Sequence, residues 1–326
     1  MSKKRVLLTG GSGFIGANLA RRLLLEGHEV HLLLRPCHNP WRIRSNLKDM
    51  RIHIVELTDE CALRRIVRKI KPDWVFHLAT NGAYSWQNNV QNIIQTNIQG
   101  TYNLLDACLK SDFEALINTG SSSEYGFKNY PPKETEYLLP NSFYAVTKAS
   151  ATLLCSFMAQ KTNKHIVTLR LYSAYGPYEE PMRFVPTLLV HGMHHRFPAL
   201  VAPHTARDFI YIEDIENAYL LAASVKKQEP GVVYNVGTGV QTTIRDAVSI
   251  ACKEFGIKTK PKWGSMPNRQ WDQNIWVANP CAIKKTLGWH PKYTFHDGFH
   301  KTWEWLHLDI CMRAFYENKI LKNHSR

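Results

Sequence analysis

The sequence predicts an α/β protein: a doubly wound parallel sheet followed by a smaller, discontinuous mixed α/β lobe. Three observations carry this. Short apolar runs alternate with amphipathic stretches through the first half, a glycine-rich turn follows the very first run, and beyond Tyr172 the alternation breaks into Gly-Pro and Pro turns. Strands joined by helical crossovers lie parallel with helices on both faces, which is why each reads as a continuous apolar run.

In chain order the candidate strands are Arg5 to Thr9, Val30 to Leu34, His53 to Glu56, Trp74 to Leu78, Ala115 to Thr119 and Ile166 to Leu171. Helical spacing of apolar residues marks Ala17 to Glu26, Val90 to Lys110 and Asn141 to Gln160. Past Tyr172 the pattern gives a helix near Ile212 to Lys226 and a strand at Val232 to Asn235. The polar, basic end from Lys319 to Arg326 reads as frayed.

Composition excludes several function classes. Hydrophobic residues at 44% and charged residues at 21% describe an ordinary globular chain, and no apolar run reaches the length of a bilayer span. The start, M-S-K-K-R before V-L-L-T-G-G, is too short in its apolar part for a signal peptide, so a cytoplasmic protein is expected. Seven cysteines lack C-x-x-C spacing, and the adjacent His194 and His195 cannot share a helix face. No metal site is expected. The net charge of +14 is spread from Lys3 to Arg326 without a basic run interleaved with aromatics, which points to a small anionic ligand such as a pyrophosphate rather than to nucleic acid.

The first strand runs into Gly10, Gly13 and Gly16 and then into a helix. Glycines so spaced permit a tight turn and a close backbone approach, setting a pyrophosphate on the helix N-terminus, as in a Rossmann-type dinucleotide site. The acid expected about twenty residues later to bind a ribose is replaced by Arg35, with Arg42 and Arg44 nearby. Arginine suits a 2′-phosphate, so NADP(H) is favoured over NAD(H), which stays open.

Tyr144 and Lys148 stand four apart in S-F-Y-A-V-T-K-A and would share one helix face. A nearby ammonium favours the phenolate and so suits the tyrosine to acid/base work. Upstream, the strand from Ala115 ends in T-G-S-S-S-E-Y-G, where a serine hydroxyl would meet a substrate oxygen. Serine, tyrosine and lysine together suggest hydride-transfer chemistry.

With T-G-x-x-G-x-x-G, the serines before Y-G and Y-x-x-x-K in that order, almost the whole chain resembles the extended short-chain dehydrogenase/reductase family, in its nucleotide-sugar epimerase, dehydratase and 4-ketoreductase group. Further matching stretches are H-L-A-T at His77, T-N-I-Q-G-T around Asn97, L-R-L-Y-S-A-Y-G-P at Leu169, R-D-F-I-Y-I-E-D-I at Arg207, N-V-G-T-G at Asn235 and L-G-W at Leu287.

The resemblance implies Ser121 as the substrate-orienting hydroxyl, Tyr144 as acid/base and Lys148 on the nicotinamide ribose. Glu56 and Leu57 would edge the adenine, while Phe14, Ile15, Leu78, Ala79, Thr80, Asn97, Thr119 and Tyr172 would line the cofactor. Ser122, Ser123, Glu124 and Ser173 would touch the substrate, while Arg207, Arg269 and Asp272 would meet its diphosphate and nucleotide ribose. Tyr84, Ser85, Trp86 and Phe184 are candidates for the sugar and base pockets. Duller roles stay open: Ser122 and Ser123 as local backbone partners, Asn97 as a bridge between helices, Arg269 with Asp272 as a surface pair.

Two departures stand out. Ser173 replaces the family's asparagine, and Ser122 and Ser123 replace the dehydratases' acid pair, leaving Glu124 as the only nearby carboxylate. The stretch is closer to 4-ketoreductases acting on nucleotide-diphosphate 4-keto-6-deoxyhexoses. A 4-epimerase holding NAD stays open, a 4,6-dehydratase fits less well, and a non-catalytic NADP-binding sensor is the reading from another class. The expected division is a dinucleotide domain over 1–172 plus about 207–238, with a nucleotide-sugar lobe over 173–206 and 239–326. By analogy, a homodimer would form through Val90 to Lys110 and Tyr144 to Lys161.

Overall fold

The computed structural model describes residues 2–225, 228–268 and 272–322. Its order is β1 (Arg5–Thr9), α1 (Phe14–Leu25), β2 (Glu29–Leu34), a 3₁₀ turn (Arg44–Asp49), β3 (Arg51–Ile54), α2 (Glu60–Ile70) and β4 (Trp74–His77). Then follow α3 (Val90–Ile94), a π-helical turn (Gln95–Gln99), α4 (Gly100–Leu109), β5 (Ala115–Ser121), a 3₁₀ turn (Ser122–Tyr125), α5 (Phe143–Thr162), β6 (Ile166–Leu171) and β7 (Ser173–Tyr175). The remainder is α6 (Phe184–Met193), β8 (Ala206–Arg207), β9 (Phe209–Tyr211), α7 (Ile212–Ser224), β10 (Val233–Val236), β11 (Thr242–Thr243), α8 (Ile244–Phe255), α9 (Cys281–Leu287), α10 (Phe295–Leu308) and α11 (Ile310–Leu321).

Seven strands form one sheet in the order β10-β6-β5-β4-β1-β2-β3, every pair parallel. The order reverses between β1 and β4, and a crevice opens there at the strands' carboxyl ends. Val6 and Leu8 of β1 join one apolar cluster with α1 and α7, while Leu7 joins the other with α2, α4 and α5. Both faces are therefore dry, which accounts for the unbroken apolar runs. Leu7, Leu8, Phe76, Ile117 and Leu169 have no exposed surface, and each such burial contributes about 1.5–3 kcal/mol.

The early strands match the sequence reading closely, but the third begins and ends two residues earlier than expected, because Arg51 pairs with His31 and Ile54 with Leu34. The stretch from Val90 is broken by the π turn, which no apolar spacing announces. Two small sheets, β7 with β9 and β8 with β11, bring the 173–175 and 206–211 segments beside the crevice. A third cluster, centred on Leu188, Phe209, Phe295 and Phe299, forms the core under this side. Among the described residues no helix is long and apolar enough to cross a membrane, and no group of three or more His, Cys, Asp or Glu could hold a metal ion.

Candidate active site

The glycine turn is forced by packing. Gly10 has φ +72°, and a Cβ there would lie 2.6 Å from the Ala79 nitrogen; a Cβ on Gly16 would lie 2.3 Å from the Gly10 carbonyl. Gly13 is the N-cap of α1, which has no side-chain cap and no acid in its first turn, so the first-turn N–H groups offer the crevice mouth an anion cradle. Thr9 accepts from the Leu78 and Ala79 amides at 3.2 and 3.1 Å, fixing the end of β4 against the turn.

Behind it, His77 bonds Thr9 at 2.7 Å and Thr101 at 2.9 Å. Burial, reinforced by the Lys148 charge, lowers its pKa to about 3, so it is neutral at pH 7. Asn97 sits in the π turn. Its amide donates to the Asn81 carbonyl and to Thr147, both at 2.9 Å, and its oxygen accepts from Thr80 at 3.2 Å and the Asn81 amide at 2.8 Å. Expected along the cofactor, Asn97 is a buried brace between the loop after β4 and α5, its polar atoms already engaged.

β5 delivers Ser121 to the crevice, where its hydroxyl caps the following turn by accepting from the Ser123 amide at 3.2 Å. Glu124 closes that capping box, accepting from the Ser121 amide at 2.7 Å, and pairs with Arg170 at 2.8 Å. It has no exposed surface. The expectation of Glu124 as a substrate contact therefore gives way: its carboxylate faces inward. Gly126, with φ +66°, ends the turn where a Cβ would lie 1.8 Å from the Leu139 carbonyl, which accounts for the glycine in Y-G.

Ser142 caps α5, accepting from the Ala145 amide at 3.1 Å, so Tyr144 and Lys148 lie one turn apart at its start. Burial raises the Tyr144 phenol above its ordinary pKa, and the hydrogen-bonded Ser121 hydroxyl pulls it back, as Arg183 does from further away. Lys148 is not among the largest influences on that phenol, contrary to the sequence expectation. The lysine is itself buried, which lowers its pKa against the opposing pull of Glu124. Its ammonium has no hydrogen-bond partner among the described residues and would be free to bind ribose hydroxyls. With the uncapped α1 and the glycine cradle, it fits a dinucleotide.

The other expected residues divide clearly. Phe14 and Ile15 open α1, Leu78 to Thr80 follow β4, and Arg35 is exposed just past β2. Arg42 is instead buried, donating to the Tyr178 carbonyl at 2.8 Å and pairing with Glu180 at 2.9 Å. Glu56 is exposed, and Leu57 packs over Gly100. Thr119 bonds Tyr219 at 2.5 Å. Arg207 pairs with Asp272 at 2.5 Å and lies 5.6 Å from the Trp276 ring; Arg269 lies outside the described residues.

Tyr84 stacks on Trp86 with ring centroids 4.7 Å apart, Trp86 and Ser85 being exposed, and Phe184 stacks on Phe209. Ser173 sits in β7, its amide bonded to the Asp208 carbonyl at 3.0 Å. A small open pocket of about 20 Å³ beside the serine turn is lined by Ser122, Tyr125, Lys128, Tyr172 and Trp276. The Ser122 and Tyr172 hydroxyls, both on buried residues, have no hydrogen-bond partner among the described residues.

Sequence reasoning missed Arg183, which acts on both the Tyr84 and Tyr144 phenols. It also missed the two buried acids of R-D-F-I-Y-I-E-D-I. Asp208 accepts from the Thr238, Gly239 and Ala278 amides, and Asp214 from those of Lys292 and Tyr293. The Trp289 indole donates to the Asp214 carbonyl at 2.9 Å, so L-G-W is a packing motif.

Comparison with known proteins agrees with this geometry. Residues 6–237 match the model of the NAD dependent epimerase/dehydratase family. dTDP-glucose 4,6-dehydratase 1 of Escherichia coli is 25% identical over 361 residues, covering 98% of this chain and 99% of the relative. A trifunctional UDP-glucose 4,6-dehydratase/UDP-4-keto-6-deoxy-D-glucose 3,5-epimerase/UDP-4-keto-L-rhamnose-reductase of Arabidopsis thaliana is 26% identical over 93% of this chain, which spans only 47% of that protein.

Among solved structures, UDP-glucose 4-epimerase of Thermotoga maritima, with UDP-glucose, superposes at a TM-score of 0.82 with 25% identity, over 93% of this chain and 98% of the other. UDP-glucuronic acid 4-epimerase of Bacillus cereus, with UDP-glucuronic acid and NAD, gives 0.81 and 26%, over 92% and 98%. With the glycine cradle, the serine turn and the tyrosine–lysine pair in these positions, the chain belongs to the NAD-dependent epimerase/dehydratase family.

Proposed function

We propose that this protein is an oxidoreductase acting at C4 of a nucleotide-diphosphate hexose, working as a 4-ketoreductase on a 4-keto-6-deoxysugar with NADPH. The observation that carries this is the serine turn. Elimination across C5 and C6 needs a general acid beside the sugar, but Ser122 and Ser123 stand where the acid pair would be and Glu124 is turned inward onto Arg170. What remains is a set suited to moving one proton at C4.

A bound nicotinamide dinucleotide supplies or accepts the hydride. Ser121 holds the C4 oxygen, and Tyr144, a phenol whose pKa desolvation raises further, gives that oxygen its proton. Lys148 orients the ribose. Arg207, set by Asp272, faces the substrate diphosphate, for which a guanidinium fork is well shaped. Arg35 supports the NADPH preference. We place the hexose beside the cavity lined by Ser122 and Tyr172, in keeping with a sugar lobe over 173–206 and 239–326. Exposed Val146, Leu153 and Phe157 on α5 and Tyr102 on α4 suit a second copy of the chain.

The second reading is a 4-epimerase retaining NAD, favoured because the two solved neighbours above are 4-epimerases, one of the two holding NAD. Mass spectrometry of the purified protein and absorbance at the NADPH band with UDP- and dTDP-4-keto-6-deoxyglucose separate the two. NADPH oxidation supports the reductase; retained NAD without NADPH turnover supports the epimerase.

A further inference from the structure

Residues 35–50 leave the cofactor end of β2 and return at β3, and this loop is bolted to the far side of the crevice. Arg42, 7% exposed, donates from Nε to the Tyr178 carbonyl at 2.8 Å, pairs with Glu180 at 2.9 Å and lies 4.2 Å from the Trp41 ring. Trp41 packs on Phe315 of α11 at 4.8 Å, and Tyr316 of α11 donates to the Glu179 carbonyl.

The cofactor helix grips the same loop. Asn18 of α1 donates to the Pro177 carbonyl at 2.9 Å, and the Arg21 guanidinium lies 3.7 Å from the Tyr178 ring while donating to the Arg42 carbonyl. Tyr178 holds φ +66°, a left-handed conformation that a tyrosine keeps only when its surroundings impose it. Just beyond, Glu179 is buried with Oε1 3.6 Å from Arg183, and Arg183 reaches the phenols of Tyr84 and Tyr144 electrostatically.

We propose that Arg42 is a positioning residue that couples the two halves of the crevice, so that dinucleotide binding and nucleotide-sugar binding tighten each other through the 177–180 loop. This rests on the nucleotide-sugar reading above. A dinucleotide held against the loop after β2 restricts that loop's motion, Arg42 passes the restriction to Tyr178 and Glu180, and these set the start of α6 with Arg183. Because coupling of binding free energies is reciprocal, a ligand in the sugar half improves the dinucleotide's affinity by the same factor.

The test is titration of NADPH fluorescence into the full chain, alone and with saturating UDP or dTDP, in wild type, Arg42→Lys and the milder Glu180→Gln, with melting temperature recorded. The expected result is at least about fivefold tighter NADPH binding with the nucleotide in wild type. That enhancement falls below about twofold in both variants, while each ligand alone binds within about threefold of wild type, a change of under ~0.7 kcal/mol. Lower melting temperatures with undiminished enhancement would show a purely structural role and overturn the proposal. So would nucleotide binding to wild type with no effect on NADPH. If neither nucleotide binds wild type, the nucleotide-sugar reading fails and the coupling falls with it.

Discussion

Glu124 and Arg170 form an ion pair at 2.8 Å with side chains 0% and 3% exposed, directly beneath the serine turn that presents Ser121. The carboxylate also accepts the Ser121 amide, and the guanidinium also donates to the Tyr125 hydroxyl at 2.9 Å. The pair therefore sets the position of the Ser121 hydroxyl from behind.

Removing one partner of such a pair leaves a buried charge uncompensated, at a cost of about 3–5 kcal/mol. Arg170→Met should therefore lower stability in urea unfolding by that order, and the Glu124→Leu/Arg170→Met double variant should lose less than the two single variants summed. Unchanged stability in Glu124→Gln with abolished turnover would instead make Glu124 a chemical acid.

The pH profile carries a sign. In the reductive direction the protonated phenol is the donor, so kcat/KM falls as pH rises through the Tyr144 pKa. Burial raises that pKa and the Ser121 hydrogen bond opposes the rise. Ser121→Ala should therefore slow the reaction and move the alkaline limb of the remaining activity to higher pH. A shift to lower pH would contradict the assigned contact.

Neutral His77 gives a second pH dependence. Its folded pKa of about 3 lies below the unfolded value near 6.5, so as pH falls through 6.5 toward 3 the unfolded chain takes up a proton that the folded one does not. The stability it supports is present above 6.5 and is lost on acidification. Between pH 6 and 4 the stability of His77→Gln should fall less steeply than that of wild type, by up to ~1.4 kcal/mol per pH unit. Parallel slopes in urea titrations would count against this.

Arg35 stands exposed where a ribose-binding acid would exclude a 2′-phosphate. Arg35→Ser should raise KM for NADPH about tenfold while leaving NADH nearly unchanged, a loss of ~1.4 kcal/mol from one charge-assisted contact. Equal effects on both cofactors would remove Arg35 from the 2′ position.

The strands, the glycine turn and the order of serine, tyrosine and lysine were legible because each rests on local periodicity or on spacing within one turn. The rest depended on tertiary approach. Nothing local says that Asn97 falls in a π turn and uses its amide to brace Thr147 and Asn81; and although S-x-x-E at Ser121 to Glu124 spells a capping box, the burial of Glu124 onto Arg170 depends on β6. Arg42 and Arg44 read alike in the sequence, yet the first is buried against Tyr178 and Glu180 and the second is exposed. Arg183, thirty-nine residues after Tyr144, comes near its phenol only because the 177–180 loop is tied to α1 and α11.

The central claim, that Tyr144 protonates a C4 oxygen in a net reduction, is tested most directly by stopped-flow absorbance at the NADPH band with UDP- and dTDP-4-keto-6-deoxyglucose, in wild type and Tyr144→Phe. Wild type should oxidise NADPH stoichiometrically with product, and Tyr144→Phe should bind NADPH normally but turn over about 10²–10⁴-fold more slowly. Tightly retained NAD with no NADPH consumption, or a Tyr144→Phe variant as fast as wild type, would contradict it.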